Sequence, residues 1–481
     1  IVYRPEIDGI RALAVISVII YHAKINILSS PILSGGFIGV DIFFVISGYL
    51  ITSIILTDLQ NHNFSILNFY ERRIRRLLPT LLFILLVFLP LAWIYYLPID
   101  LKHFAKISRA SILFFSNFAI WESGMQYAAK SSLLEPFLHT WSLSIEEQFY
   151  ILVPFILIFV FRFLKSSILI LFLLGFIMSL AVAIYGSFYH PVANFFMLPT
   201  RGWELLGGSI LAKLEIDYGR KNSKFLSKIM PSVGIIFVFY SLLFFNEEVR
   251  NPGLITLIPI LGIMIFIWYA NNDDLITSLF SNKIFVGIGL ISYSLYLWHY
   301  PIFAFARYLQ IYDGTISIFI IFFILIFLLS LFSYYLIEKP FRNKFVVPIK
   351  QLLIYVLLMG TVIFTINSII FYNKEGWFPK RFADFSEDAF TEPWSIVKQD
   401  DRLCYDRNKI NSCTFNDNGT LPLVVIGDSQ LSTISESMVD LAFRENFKLT
   451  TNNFTECVFV IGFDQYATNA IRKRPCNKEF Q

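Results

Sequence analysis

Apolar stretches long enough to cross a membrane recur along this chain at 10–28, 37–57, 77–97, 146–163, 167–186, 196–213, 231–246, 254–270, 283–308, 316–337 and 351–372. Eleven such spans predict an α-helical polytopic membrane protein. The composition agrees, because 15% charged residues and a mean hydropathy of +0.63 lie far from the roughly 25% charged of a soluble domain. The stretch 104–120 is apolar too, but Lys106, Arg109 and Asn117 punctuate it. It reads as interfacial or re-entrant rather than spanning.

In a membrane the position of Lys and Arg matters more than the formal net charge of +4. Arg72, Arg73, Arg75 and Arg76 follow the second span, Arg162 and Lys165 the fourth, and Arg220, Lys221, Lys224 and Lys228 the sixth. Lys283 follows the eighth, and Lys339, Arg342 and Lys344 the tenth. Every basic loop therefore comes after an even-numbered span. The positive-inside rule then predicts a cytoplasmic amino terminus, and the odd eleventh span delivers everything after about residue 373 to the opposite side. Nothing in the charge pattern points to nucleic acid.

All four cysteines, Cys404, Cys413, Cys457 and Cys476, fall in that exported tail. An even set confined to one polar region fits disulfides in an oxidising compartment, and the sequence-local pairing, Cys404 with Cys413 and Cys457 with Cys476, is one of three possible. Within the tail, LPLVVIGDSQ reads as a short apolar strand, a Gly-Asp-Ser turn and a following helix, an α/β signature. Only about 60 residues remain from Leu421 to the last residue, which is marginal for a doubly wound domain. The expectation is a truncated domain. No cleavable signal peptide is expected at the start, and the chain opens on Ile1, so an initiating segment is expected to be missing.

Charges inside the spans mark candidate function, since an ionisable group in apolar surroundings is costly. The first run, DGIRALAVISVIIYHA, carries Arg11 and His22. Eleven residues are close to three helical turns, so the two side chains share roughly one helix face about 16 Å apart. FYERRIRRLLP sets Arg72, Arg73, Arg75 and Arg76 at a helix start, where their planar forks suit a polyphosphate; topology marking or anionic lipid headgroups are the alternatives. In WSLSIEEQFY, Ser144 and Glu147 have capping-box spacing, and Glu146 and Glu147 point about 100° apart, so they cannot face each other. Arg201 and Glu204 in PTRGWELLGGS can pair on one face, and Asp41 in GGFIGVDIFFVISGYL is a further intramembrane acid preceded by glycines. His299 in SYSLYLWHYP reads as a structural, hydrogen-bonded histidine. His62, His103 and His190 fall in predicted loops, and His139 beside the WSL string is open between the two readings.

Together these strings, with EKPFR, resemble the membrane-bound acyltransferase family 3, the acyl-CoA-dependent O-acetyltransferases of surface glycans, in that family's order over residues 1–345. The resemblance implies a ten-helix bundle that takes acetyl from cytoplasmic acetyl-CoA, with no metal, and passes it toward an extracytoplasmic sugar hydroxyl. It implies required roles for Arg11 and His22, and contact of the Arg72–Arg76 cluster with CoA. VVIGDSQ in turn resembles the first block of SGNH hydrolases and transferases. There Asp428 and Ser429 stand in the nucleophile turn, with Ser429 the nucleophile and its backbone N–H helping to bind an oxyanion. The late Asp-x-x-His block of that family is absent before residue 481, so the base for Ser429 stays unassigned.

The expected organisation is a membrane acyltransferase domain at 1–345, an additional helix at 346–373, an extracytoplasmic linker at 374–420 and the start of an SGNH-like domain at 421–481. The expected enzyme sits in a bacterial inner membrane among its lipids. It acetylates an envelope glycan, with lipopolysaccharide O-antigen ahead of peptidoglycan, and His22 acts as general base or transient acyl acceptor, oriented by Asp41, Glu146 or Glu147. A transporter or flippase of lipid-linked sugars, with the charges lining a pathway, is the rival class. A catalytically silent sensor or scaffold is a third.

Overall fold

Each predicted apolar run folds as helix, and the chain carries the signals that start and stop several of them. In the computed structural model, which describes residues 3–27, 30–124, 132–220, 223–271, 273–372, 398–399, 402–403, 411–416, 418–427, 438–439 and 441–453, α1 (Pro5–Ala23) opens on a proline and closes at Lys24, held left-handed at φ 53°. Two short strands, β1 (Asn26–Ile27) and β2 (Ser30–Pro31), pair antiparallel behind it. Then come α2 (Ile38–Gln60) and α3 (Ile66–Tyr95), the latter capped by Ser65, whose hydroxyl accepts from the Asn68 N–H at 3.3 Å. The chain continues through α4 (Pro98–Ile112), α5 (Ser116–Gly124), α6 (Thr140–Phe163), α7 (Ile168–Tyr189), α8 (Pro191–Phe196) and α9 (Leu198–Tyr218). It goes on with α10 (Lys224–Phe244), α11 (Leu257–Tyr269), α12 (Leu275–Phe280), α13 (Lys283–Leu290), α14 (Ser292–Tyr308) and α15 (Ile316–Ser333). A π-helical turn, Tyr334–Glu338, joins α15 to α16 (Lys339–Arg342), and α17 (Ile349–Tyr372) follows.

Among the described residues seven helical stretches are long and apolar enough to cross a membrane: α2, α3, α6, Lys165–Tyr189, α10, Ile316–Arg342 and α17. The other predicted runs are helical as well, but α11 is short and α1, α9 and α14 carry buried polar groups. These differences have local causes. α1 begins at Pro5, ahead of the predicted run, because its polar first turn is satisfied inside the protein: Arg4 Nε donates to Glu6 at 2.7 Å and Nη1 to the Tyr49 hydroxyl at 2.8 Å. The run 283–308 is broken at Ile291 into α13 and α14. The stretch 104–120 breaks at a left-handed Phe114 (φ 56°) into α4 and α5. Its serines bond to α6, Ser111 with Thr140 at 2.9 Å and Ser116 with Ser144 at 2.8 Å.

The chain divides into two compact units, one of residues 1–96 with 100–373 and one of residues 97–99 with 374–481. In the first, α2 lies along α9, and α1 packs on α2, α13 and α14. Two motif glycines allow the α2–α9 approach. A Cβ on Gly48 would stand 1.8 Å from the Leu205 carbonyl oxygen, and one on Gly208 2.0 Å from that of Val45. The same interface holds a buried charge cluster, in which Arg201 Nη1 donates to Asp41 Oδ1 at 2.9 Å, Glu204 Oε1 at 3.0 Å and Asn251 Oδ1 at 3.0 Å. Pairing keeps these buried charges tolerable.

In the second unit, β3 (Lys398–Gln399) pairs with β4 (Arg402–Leu403), and β5 (Asn411–Phe415), β6 (Leu421–Gly427) and β7 (Phe447–Asn453) form one sheet in the order β5-β7-β6. The predicted apolar strand is β6. It runs parallel to β7, a pairing that requires a crossover connection, and residues 441–444 within that connection are helical. β5 is antiparallel to β7, so this sheet begins ahead of residue 421. Asp428, Ser429, Cys404, Cys457 and Cys476 lie outside the described residues, and the disulfide pairing with them. Cys413 stands in β5 opposite Thr451.

Candidate functional site

Helix α1 carries one candidate near each end. Arg11, in its second turn, donates from Nη1 to Asp8 Oδ1 at 2.9 Å and faces a cavity of about 80 Å³. That space is large enough for several waters. Its polar lining converges from five helices: Arg11 of α1, Ser47 of α2, Arg73 and Arg76 of α3, Ser142, Glu146 and Tyr150 of α6, and Ser292, Tyr293 and Tyr296 of α14. Glu146 accepts from the Ser47 hydroxyl at 3.0 Å and from Tyr150 at 3.3 Å. The Arg73 guanidinium stacks over Tyr150, 5.5 Å from the ring centre, and its Nε is buried without a hydrogen-bond partner among the described residues. Three guanidiniums around one cavity, one with an unmatched buried donor, fit an anionic ligand.

His22 lies outside that lining, in the last turn of α1 and about 16 Å along the axis from Arg11. Its ring belongs to a cluster of histidines and tyrosines from α1, α6 and α14. Nδ1 of His22 meets Nε2 of His299 at 3.1 Å, and Nδ1 of His299 meets the Tyr296 carbonyl at 2.6 Å. The His139 ring lies 5.4 Å from that of His299 and stacks on Tyr300, also at 5.4 Å, with both ring nitrogens buried. Tyr300 presents its face or edge to His22 at 4.7 Å, and Arg307 donates to the His22 carbonyl, fixing the backbone as well. Between cavity and cluster stand Ser142 and Tyr296. Their hydroxyls meet at 2.6 Å, and Tyr296 also donates to the His139 carbonyl at 2.8 Å.

The remaining predicted residues separate by surroundings. The basic cluster does not act as one: Arg73 and Arg76 face the cavity, but Arg75 donates to Glu71 and to the Phe341 and Val347 carbonyls, tying α3 to the turn ahead of α17. Arg72 is exposed, 3.7 Å from Asp58. Asp41 is engaged by Arg201, Glu146 by Ser47 and Tyr150, and Glu147 is buried, its Oε1 without a hydrogen-bond partner among the described residues. None of the three acids meets the His22 ring among the described residues; His299 takes that place. The capping-box reading of Ser144 and Glu147 is corrected, because α6 starts at Thr140 and Ser144 stands in its second turn, bonded to Ser116. His62 and His190 are exposed, whereas His103 is half-buried on α4, 3.9 Å from Glu135.

The sequence reading leaves His139 open and does not name Ser142, Tyr296 or Tyr300 as functional candidates. The signal was present. His139, Ser142, Glu146 and Tyr150 are three or four residues apart, as are Ser292, Tyr296 and His299, and on a helix that spacing is a single polar face.

Residues 4–338 match the family model of the acyltransferase 3 domain, described as an acyltransferase domain. Over 469 residues the chain is 32% identical to a Staphylococcus aureus (strain MRSA252) protein provisionally named an O-acetyltransferase, covering 90% of this chain and 75% of that one. Similar proteins in strains MSSA476 and MW2 of the same species are likewise 32% identical to this chain. The chain is 36% identical over 357 residues to the O-acetyltransferase OatA of Staphylococcus aureus (strain NCTC 8325 / PS 47), covering 71% of this chain and 58% of OatA. No solved structure matches. With the family model spanning the helices that build both the cavity and the histidine cluster, the chain belongs to the acyltransferase 3 family.

Proposed function

We propose that the chain is an O-acetyltransferase that takes acetyl from cytoplasmic acetyl-CoA and delivers it to a hydroxyl of an envelope glycan across the bacterial inner membrane. One observation carries the reading: a cavity lined by Arg11, Arg73 and Arg76 lies near one end of α1, and His22 sits about 16 Å away at its other end. The positive-inside rule applied to the basic loops favours a cytoplasmic arginine end, on the side where acetyl-CoA is found. Arg11, Arg73 and Arg76 would hold its phosphates through charge-assisted forks, and the thioester supplies an activated acetyl group. His22 then acts as general base or transient acyl acceptor.

On the far side, the β6–β7 parallel pair supports an α/β unit in which Ser429, next to Asp428 after β6, receives acetyl before the sugar does. Lipid-linked O-antigen is the proposed acceptor. The test is mass spectrometry of O-antigen and peptidoglycan fractions from cells with and without the protein, sought as a difference of about 42 Da, one acetyl group, in which hydroxyl transfer leaves an ester on the sugar. A difference only in peptidoglycan would move the acceptor. No difference in any envelope glycan would overturn the reading.

A further inference from the structure

We propose that His299 is a positioning residue that fixes the tautomer of His22 and so leaves His22 Nε2 without a proton, as the atom that does the chemistry. The inference rests on the proposed role of His22 and deepens it.

The Tyr296 carbonyl can only accept, so the 2.6 Å contact requires His299 Nδ1 to carry hydrogen and donate. His299 is fully buried, and none of its recorded partners is a carboxylate. An imidazolium there would be an unpaired buried charge, so the ring is neutral and holds one N–H. Nε2 of His299 is therefore bare and accepts. Its partner at 3.1 Å, His22 Nδ1, must donate. A neutral His22 that donates from Nδ1 has its lone pair on Nε2.

This assignment has work to do, because a histidine side chain in water favours the opposite tautomer, with hydrogen on Nε2. Such an Nε2 can neither remove a proton from a hydroxyl or thiol nor take an acyl group. The His22 carbonyl is held by Arg307 and the ring is flanked by Tyr300. Backbone and ring plane are thus fixed by other groups, and the tautomer is left to His299.

Three variants of the full chain in lipid nanodiscs separate this role from packing. His299→Gln keeps an acceptor oxygen near the Nε2 position, whereas His299→Met removes it at similar volume and His299→Asn keeps only the bond toward Tyr296. The first readout is acetyl transfer from acetyl-CoA. Met and Asn should lower kcat about five- to tenfold, the size of one hydrogen bond's net preference, with KM for acetyl-CoA unchanged, and Gln should restore most of it. The second readout needs no turnover: carbethoxylation of His22 by diethyl pyrocarbonate, followed by peptide mass spectrometry, should slow in Met and Asn and not in Gln. Equal rates in all three variants and the parent, or equal losses accompanied by equally lowered melting temperatures, would overturn the assignment. A His22→Ala variant that still acetylates glycan would instead overturn the role of His22 and leave the carbethoxylation ranking to decide the tautomer.

Discussion

Four arginines within five positions behave as three kinds of residue, and their surroundings decide which. Arg73 and Arg76 aim into the cavity, Arg75 is bonded to a carboxylate and two carbonyls, and Arg72 stands in solvent beside Asp58. Charge-assisted contacts are worth about 1.5–3 kcal/mol each, so Arg73→Ala with Arg76→Ala should weaken acetyl-CoA binding at least about tenfold. Arg72→Ala should leave it unchanged. Arg75→Ala should lower thermal stability instead, since it removes the bonds to the half-buried Phe341 and Val347 carbonyls. Titration calorimetry and melting of the purified variants check all three, and equal binding losses for Arg72 and Arg73 would mean that bulk charge attracts the donor. His22→Ala should abolish acetylation while the protein stays in the membrane. Wild-type acetyl on the glycan of that variant would remove His22 from the reaction.

Helices explain why some motifs carry structure and others chemistry. VISGYL and WELLGGS meet across the α2–α9 contact, where Gly48 and Gly208 face backbone of the other helix and Arg201 holds Asp41 and Glu204. Gly48→Leu should cost about 3 kcal/mol or more by overpacking, and Arg201→Met about 3–5 kcal/mol by leaving two buried carboxylates unpaired. Both should appear as lower melting temperature and reduced yield from membranes; a stable, inactive Arg201→Met would instead place this cluster in the reaction. Hydropathy made the long spans legible, because lipid-length apolar runs have few other solutions. It misplaced the start of α1, where Arg4 and Glu6 satisfy each other inside the protein, and it joined α13 to α14 across a break at Ile291 that follows Gly287 and Gly289 in the last turn of α13. The site was half legible. Arg11 and His22 stand out as charges in an apolar run; helical spacing also shows the polar faces that carry His139 and Tyr296, but not that these two faces meet each other in space.

At the scale of the molecule, the proposed chemistry has to connect two compartments. Acetyl-CoA is cytoplasmic and the proposed acceptor is not, so acetyl must cross about 30 Å of apolar core before it reaches a sugar. α1 spans part of that distance with a polar group near each end, and the Ser142–Tyr296 hydroxyl pair stands between the cavity and the histidines. What lies beyond His22 in the proposed sequence is Ser429, following a strand that the sequence marked by its unbroken apolar run and that pairs parallel with β7. An acyl-serine divides one awkward transfer into two steps, with the oxyanion stabilised in each. Ser429→Ala should therefore stop glycan acetylation while acetyl-CoA consumption or an acylated membrane unit persists, whereas His22→Ala should stop both. Radiolabelled acetyl followed from acetyl-CoA into protein and glycan separates the two outcomes. Full glycan labelling by Ser429→Ala would mean that acetyl passes from the membrane helices to the sugar directly, and would leave the tail to hold the acceptor.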